Sequence, residues 1–150
     1  MRGVLQRVKN ASVTIDGNMV SSIENGILIL IGVTDSDTES DADYIAEKTV
    51  NARIFEDNEG KMNLSLLDVG GEVLAVSQFT LYGDARKGRR PGYSGGAAPE
   101  IATELFDKLC AKAKTMGIKK VATGVFQADM KVALVNDGPV TLLLDSEKLF

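Results

Sequence analysis

The sequence predicts a single α+β domain in which a curled, barrel-like β-sheet carries two main helices. Three observations lead to this fold class. Most of the chain alternates between apolar and polar residues or forms short apolar runs, as strands do. Only two segments have the periodicity of an amphipathic helix. The 150 residues contain no repeat, linker or low-complexity segment, so residues 1–150 are expected to form one domain with a real core.

The first third of the chain predicts three strands. Residues 3–16 alternate in polarity on both sides of Lys9-Asn10, which predicts two strands joined by a turn there. The apolar run 27–33 predicts a strand that is covered on both faces.

An acidic stretch, residues 35–43, raises the question of a calcium loop. An EF-hand loop that began at Asp35 would need Gly and Glu where the chain has Ser40 and Ala46. We therefore predict that these residues cap and charge the N-terminus of a helix that ends near Arg53. Its buried face would carry Ala42, Ile45, Ala46 and Val50.

The middle of the chain predicts a hairpin, a strand and a long loop. Residues 53–66 predict a hairpin that turns at Asn58-Glu59-Gly60. A strand is predicted over residues 72–82, followed by a glycine-rich loop over residues 83–99.

The last third predicts the second helix and the remaining strands. The helix begins at Pro99 and is stopped by Gly117. Its apolar stripe consists of Ile101, Leu105, Leu109, Ala113 and Met116. Strands are predicted within residues 118–126, 130–136 and 140–145.

Composition excludes several classes of function. The chain has a net charge of −4, no histidine and one cysteine, Cys110, which the helical pattern places in the core. Without histidine there is no Ser-His-Asp or Cys-His nucleophile, and with only one cysteine as well the chain is not expected to hold a zinc site. No metal or cofactor is expected. No apolar run reaches the length of a membrane span and no signal peptide is visible, so we expect a cytoplasmic protein.

The stretch "SQFTL", residues 77–81, places polar side chains at the end of a buried strand. In one interpretation, the side chains of Ser77, Gln78 and Thr80 form hydrogen bonds at the end of the strand while Phe79 packs in the core. In the other, these polar side chains take part in a reaction. The Thr80 hydroxyl is a weak nucleophile without a base to activate it. A positioning or hydrogen-bonding role is easier to defend.

The stretch "NDGPVT", residues 136–141, interrupts two apolar runs with Gly138 and Pro139. Proline lacks the N–H that a sheet needs, so a tight turn between two strands is one interpretation. The other is that the backbone itself forms a site. If the Gly138–Pro139 bond were cis, two carbonyls with no side chain beside them would face one side and could hold an ammonium group.

The loop "DARKGRRPGY" is basic although the whole chain is acidic. Arg86, Lys87, Arg89 and Arg90 against Asp84 give this loop a charge of +3. Glycines allow close approach to the backbone and arginines bind phosphate with two hydrogen bonds, so the loop is either a phosphate-binding element or a solvated loop.

Together, "SQFTL" and "NDGPVT" resemble the two signature motifs of the D-aminoacyl-tRNA deacylases. The second fits the family's Asn-x-Gly-Pro-x-Thr pattern at every fixed position. The segments "QRV", "IFEDNEGKMNLSL" and "GVFQADMKVALVNDGPVT" are also similar to that family, so the resemblance extends from Met1 to about Leu144.

The resemblance implies a homodimeric enzyme with active sites at the subunit interface. Such enzymes hydrolyse the ester of D-aminoacyl-tRNA and of glycyl-tRNA and spare L-aminoacyl-tRNA, which makes them proofreaders of translation. Gly138 and Pro139 would be a cis pair that one subunit inserts into the other's site, with Arg7 as its brace. This backbone wall would reject the L configuration whatever the side chain is.

The resemblance also implies roles for the remaining candidates. The N–H groups near Gln78, Phe79 and Thr80 would bind the developing oxyanion, and Phe79 would contact the terminal adenosine. Phe126 and Met130 would line the pocket, unless they only pack in the core. Arg86, Lys87, Arg89 and Arg90 would face the acceptor stem of the tRNA. Direct attack by Thr80 and a reaction assisted by the backbone and the substrate both stay open.

Three rival hypotheses remain at this point. The chain could be an RNA-binding homodimer without activity, or a related deacylase whose trans Gly138–Pro139 bond admits small L-amino acids. It could also be a hydrolase of small D-amino acid esters or amides, although such a substrate does not need the basic loop. Neither DNA nor a membrane is an expected partner.

Overall fold

Strand β1 organises the main sheet of this computed structural model, which describes residues 1–150. The main-sheet strands are β1 (Arg2–Ile15), β2 (Asn18–Ile23), β3 (Gly26–Gly32), β6 (Glu72–Ser77), β7 (Val121–Thr123) and β8 (Lys131–Asp145). β1 pairs with β2 and β3 along one edge and with β8 along the other, always antiparallel. β6 and β7 extend the sheet beyond β3 in parallel. Because β2 also contacts β7, the sheet curls into a nearly closed barrel.

Two long helices cover this sheet, as predicted. The elements outside the main sheet are α1 (Glu39–Asn51), the hairpin β4 (Phe55–Glu56) and β5 (Met62–Leu64), the short α2 (Leu66–Val69), a 3₁₀ turn (Phe79–Tyr82) and α3 (Pro99–Thr115). α1 and α3 pack against each other, and their buried faces share one core with β1 and β3. The α+β class is therefore confirmed. None of the helices combines the length and the apolar character that crossing a membrane requires.

A second, smaller core fills the inside of the curled sheet. It contains Val8, Val13, Ile23, Leu28 and Leu74, among others. The side chains of β3 alternate between the two cores. Leu28 belongs to the core inside the curled sheet, whereas Ile27 and Ile29 belong to the core under the helices. The prediction that residues 27–33 form a strand covered on both faces is confirmed.

The acidic stretch before α1 caps the helix, as predicted. The Asp41 carboxylate accepts hydrogen bonds from the Thr38 N–H and hydroxyl at 2.8 Å. Asp35 accepts from the Ala98 N–H at 3.0 Å. These carboxylates therefore serve the backbone, in agreement with the failed calcium-loop pattern.

Two predicted turns are wrong. Lys9 and Asn10 do not form a turn, since β1 runs unbroken through them while β8 pairs with Val8 and Asn10. The segments 130–136 and 140–145 are not two strands, because both pair with β1 and belong to the single strand β8. In both cases a long-range partner keeps the chain extended where local composition indicated a break.

One boundary, two short elements and one buried stripe also differ from the prediction. β6 ends at Ser77, and the chain then enters the 3₁₀ turn instead of continuing as a strand. β2 and α2 were not predicted. Ile101 is exposed, so the buried stripe of α3 starts one turn later. It consists of Leu105, Phe106, Leu109, Cys110 and Ala113.

Candidate active site

An apolar cavity of about 510 Å³ opens beside the end of β6. The 3₁₀ turn, the start of α3 and the loop before β8 enclose it. Five of the predicted site residues line this cavity: Ser77, Gln78, Phe79, Phe126 and Met130. The fold therefore brings the first motif together with the two predicted pocket residues. A concave, mostly apolar space with a few polar groups is the usual form of a small-molecule site.

The first motif turns the backbone sharply at the cavity mouth. The Gln78 N–H donates to the Ile31 carbonyl at 2.7 Å and thereby completes the strand pairing. The 3₁₀ turn begins at the next residue, and the first N–H groups of a helical turn have no acceptor within it. The N–H groups of Phe79 and Thr80 are thus available to an oxyanion, whereas that of Gln78 is already used.

The Thr80 side chain is exposed and has no base beside it. Its hydroxyl oxygen accepts a hydrogen bond from the Gln78 side-chain amide. Asp129 and Tyr93 are the only titratable side chains that line the cavity, and Asp129 is paired with Lys131 at 2.9 Å. The geometry therefore offers backbone donors and no general base for the Thr80 hydroxyl.

Arg2 holds the 3₁₀ turn from the side of the sheet. Its Nη1 donates to the Leu81 carbonyl at 3.2 Å, and its Nε pairs with buried Asp145 at 3.3 Å. The guanidinium carbon lies 4.6 Å from the centre of the Tyr82 ring. Burial, with the nearby Asp37 carboxylate, raises the pKa of Tyr82. Sequence analysis missed Arg2, because its partners lie about 80 and 140 residues away.

Two exposed aromatic rings stand at the cavity mouth. Phe79 and Tyr93 meet edge to face with their ring centres 5.6 Å apart. Both line the cavity, and both remain about half exposed or more. Tyr93 was not among the predicted site residues. Its signal was the single aromatic residue in a glycine-rich loop, where no local core explains it.

The second motif forms a wide bulge in β8. Asn136 pairs with Val8 and Thr141 pairs with Gln6, so the four residues 137–140 lie opposite Arg7 alone. Gly138 and Pro139 are exposed and joined by a cis bond. Gly138 has φ +145°, and a Cβ there would lie 2.7 Å from the Val140 side chain and 3.2 Å from Arg7. The position therefore requires glycine.

Arg7 lies buried beneath this bulge. Its Nε donates to the Asp137 carbonyl at 2.7 Å, and its Nη1 donates to the Ile54 carbonyl. Its guanidinium also lies 3.7 Å from the Asp137 carboxylate. Arg7 therefore ties the bulge to the loop after α1.

A single chain does not join the two motifs. Gly138 and Pro139 do not line the 510 Å³ cavity. Arg7 and Asp137 line a different, more polar cavity of about 380 Å³. Within one chain, the bulge and the first motif therefore belong to separate places.

The basic loop contains three unpaired cations. Asp84 binds Arg86 through two hydrogen bonds of 2.7 and 2.8 Å, and these lower the pKa of the Asp84 carboxyl while raising that of Arg86. Lys87, Arg89 and Arg90 are exposed and form no salt bridge. Across the chain, no group of three or more potential ligands is placed to hold a metal ion.

The comparisons identify the relatives of this chain. The family model described as D-Tyr-tRNA(Tyr) deacylase matches residues 4–145. A D-aminoacyl-tRNA deacylase of Thermosipho africanus is 59% identical over 150 residues, which cover 100% of both chains. One of Clostridioides difficile is 57% identical with the same coverage.

Two solved structures are similar to the fold. The protein described as "c-Myc DNA Unwinding Element Binding Protein" is 36% identical, with a TM-score of 0.91 over 97% of this chain and 98% of its own. A probable eukaryotic D-amino acid tRNA deacylase is 18% identical, with a TM-score of 0.81 over 95% and 97%, and shows the fold alone. Since a family model spans most of the chain and full-length relatives share more than half of its residues, this chain belongs to the D-aminoacyl-tRNA deacylase family and is an enzyme of that hydrolase family.

Proposed function

We propose that this enzyme hydrolyses the ester of D-aminoacyl-tRNA and of glycyl-tRNA, spares L-aminoacyl-tRNA and so proofreads translation. The observation that carries the proposal is the pairing of two features in one family member. One is a cavity lined by Ser77, Gln78 and Phe79, beside a 3₁₀ turn whose first N–H groups, at Phe79 and Thr80, have no acceptor within the turn. The other is an exposed bulge that presents Gly138, which has no side chain, and Pro139, whose side chain is a ring closed onto the backbone.

The proposed reaction uses water, the backbone and the substrate. A water molecule attacks the ester carbonyl, and the N–H groups of Phe79 and Thr80 stabilise the negative charge on its oxygen. The carbon–oxygen bond to the ribose then breaks, and the ribose oxygen leaves with a proton. The neighbouring ribose hydroxyl can assist, since Asp129, the only carboxylate that lines the cavity, is paired with Lys131. An aminoacyl ester is activated, so alignment and two donors are sufficient.

We further propose that the active unit is a homodimer. The outer edge of β8 has no partner strand in the chain. Its residues Val135, Leu142 and Leu143 are 52%, 38% and 60% exposed although they are apolar. An unpaired apolar edge strand is a template for association. A second copy on this edge would carry the bulge of one subunit to the cavity of the other, which a single chain does not do.

In the dimer, the carbonyls of Gly138 and Pro139 would bind the α-amino group of the substrate. An L side chain would then point into the backbone wall, whereas a D side chain or the hydrogen of glycine would not. Arg7 supports this proposal because it anchors the bulge through the Asp137 carbonyl. The whole chain, residues 1–150, would act as one deacylase domain, in the cytoplasm where aminoacyl-tRNA is made and used.

The basic loop would bind the phosphates of the tRNA. Lys87, Arg89 and Arg90 are the unpaired cations, while Arg86 is held by Asp84. We expect Arg89→Glu with Arg90→Glu to weaken tRNA binding and to flatten its dependence on salt. A variant with Lys114→Glu and Lys119→Glu changes the net charge equally and serves as the control. Equal binding by both double variants would exclude a contact between the loop and the phosphates.

Paired deacylation tests the function directly. One tRNA carries D-tyrosine and another L-tyrosine, and ester loss is followed above the spontaneous rate. Loss of the D ester alone supports both the deacylase activity and the exclusion of L side chains by Gly138 and Pro139. Hydrolysis of glycyl-tRNA would extend the proposed activity to the achiral substrate. Loss of both esters refutes the exclusion of L side chains. Loss of neither, with tRNA still bound, would favour nucleic-acid binding without turnover.

The dimer needs its own measurement. One chain has a mass of 16.0 kDa, and sedimentation should give twice this mass. Leu143→Glu should dissociate the dimer into monomers. A fully active monomer would refute the shared active site.

A further inference from the structure

The side chain of Asn136 spans the neck of the bulge in β8. Its Oδ1 accepts a hydrogen bond from the Val140 N–H at 2.7 Å, and its Nδ2 donates to the Val140 carbonyl at 3.1 Å. Both backbone groups of Val140 are thereby paired with one side-chain amide. Asn136 thus closes a loop that contains Asp137, Gly138 and Pro139.

Strand β1 does not form hydrogen bonds with the backbone of Val140 in place of Asn136. Its pairing with β8 passes from Val8 opposite Asn136 directly to Gln6 opposite Thr141, so Val140 has no partner in the ladder. A backbone N–H and carbonyl without partners would destabilise the bulge or let it change shape. The amide of Asn136 takes the place of the missing strand, because it carries one acceptor and one donor group side by side.

A second hydrogen bond system fixes the Asn136 amide itself. Its Nδ2 also lies 3.2 Å from the Thr141 hydroxyl oxygen, which accepts another hydrogen bond from the Gln6 amide at 3.3 Å. Asn136 is therefore linked to β1 through Thr141. The first and last fixed residues of the motif hold each other, and the exposed Gly138 and Pro139 lie between them.

The bulge is anchored at two points. Arg7 holds its start at the Asp137 carbonyl, and Asn136 holds its end at Val140. We infer that Asn136 is a positioning residue that sets the discrimination between D and L esters by fixing where Gly138 and Pro139 stand. This inference rests on the proposed function. The backbone of the bulge excludes an L side chain only if it does not move when the side chain contacts it. Asn136 fixes the bulge at Val140, which Arg7 does not contact.

Three variants and one control test the inference. Asn136→Ala removes both hydrogen bonds to Val140. Asn136→Asp keeps the acceptor for the Val140 N–H and loses the donor, and Thr141→Val removes the link to β1. Asn10→Ala is the matched control, since Asn10 is an exposed asparagine on the same ladder and its side chain forms no hydrogen bond. The readouts are the ratio of D-ester to L-ester hydrolysis and the hydrogen exchange of the Val140 amide.

We expect Asn136→Ala to lower the D-to-L ratio at least tenfold, mainly because hydrolysis of the L ester rises. Exchange of the Val140 amide should accelerate at least tenfold in the same variant. Asn136→Asp and Thr141→Val should lower the ratio by less, and Asn10→Ala should leave it unchanged. If Asn136→Ala does not fold, Asn136→Asp carries the test.

Other outcomes would overturn the inference. A D-to-L ratio within twofold of the wild type in the Asn136 variants would do so. A fall of both rates together would show a general structural role and would also refute it. If the wild type hydrolyses the D ester selectively, the proposed function holds, and either of these two outcomes refutes only the role of Asn136. A wild type that hydrolyses neither ester refutes the proposed function, and the selectivity role of Asn136 falls with it.

Discussion

Replacing the Arg7 guanidinium should weaken the fold and the bulge together. Arg7 is only 6% exposed and donates to two carbonyls, those of Asp137 and Ile54. Arg7→Met keeps most of the apolar stem and removes both hydrogen bonds. A hydrogen bond from a charged donor contributes about 1.5–3 kcal/mol. The two bonds therefore predict a loss of about 3 kcal/mol or more in the free energy of unfolding.

Lys9 provides the matched control for this prediction. It is the next cation on the same strand, and its Nζ lies 3.2 Å from the same Asp137 carboxylate that Arg7 approaches. Its side chain is 57% exposed, so the pair is screened by water. An exposed ion pair contributes only about 0.2–1 kcal/mol, which is the expected effect of Lys9→Met.

Thermal unfolding at one fixed protein concentration measures both variants. In a chain of this size, 1 kcal/mol lowers Tm by about 2–4 °C, so a loss of about 3 kcal/mol or more in Arg7→Met should lower Tm by about 6–12 °C or more. Lys9→Met should lower it by about 4 °C at most. Arg7→Met should also lower the D-to-L ratio of deacylation. Equal Tm values for the two variants would refute the argument that buried carbonyls depend on Arg7.

Three further predictions concern the cavity and the core. Thr80→Val should reduce deacylation by about tenfold at most if the backbone and the substrate assist the reaction, whereas a loss near 10³-fold or more would establish the hydroxyl as the nucleophile. Gly32→Ala should cost about 1–3 kcal/mol of stability and reduce activity, because its new methyl group would lie 2.9 Å from Leu81 in the 3₁₀ turn. Gly92→Ala, with no atom within 4 Å of its Cβ, is the control, and an equal loss there would contradict the packing argument. Burial raises the pKa of the Cys110 thiol to about 12, whereas the thiol of the denatured chain has a pKa near 8.5. Iodoacetamide reacts with the thiolate, so at pH 8 it should label the native chain at least about a hundredfold more slowly than the denatured chain. Because folding raises this pKa, stability should fall as the pH rises above about 8.5, and rapid labelling of the native chain would refute the burial.

The absence of histidine has a structural counterpart at the candidate site. The chain has no imidazole to act as a general base, and the 3₁₀ turn beside the cavity begins with backbone N–H groups that have no acceptor within the turn. Backbone donors need no titration and are held by the 3₁₀ turn, which Arg2 braces through the Leu81 carbonyl. For an activated ester, such fixed donors can provide the main electrostatic stabilisation of the transition state.

The sequence by itself determined the class of fold and most of the elements. The patterns of the two long helices and of β3 are local, because burial of one face or of both faces follows from residue spacing. The two motifs could also be recognised locally, since each lies within six residues. The acidic cap of α1 followed in the same way from residues that are neighbours in the chain.

Only the tertiary structure decided how the chain continues at the candidate site. β8 remains one strand through Gly138 and Pro139 because β1 pairs with it on both sides of the bulge. The 3₁₀ turn ends β6 where Gly32, about 50 residues away, lets it pack closely. Arg7 meets its carbonyl 130 residues along the chain. Such contacts depend on which segments the closed sheet brings together, and no local pattern of residues contains that information.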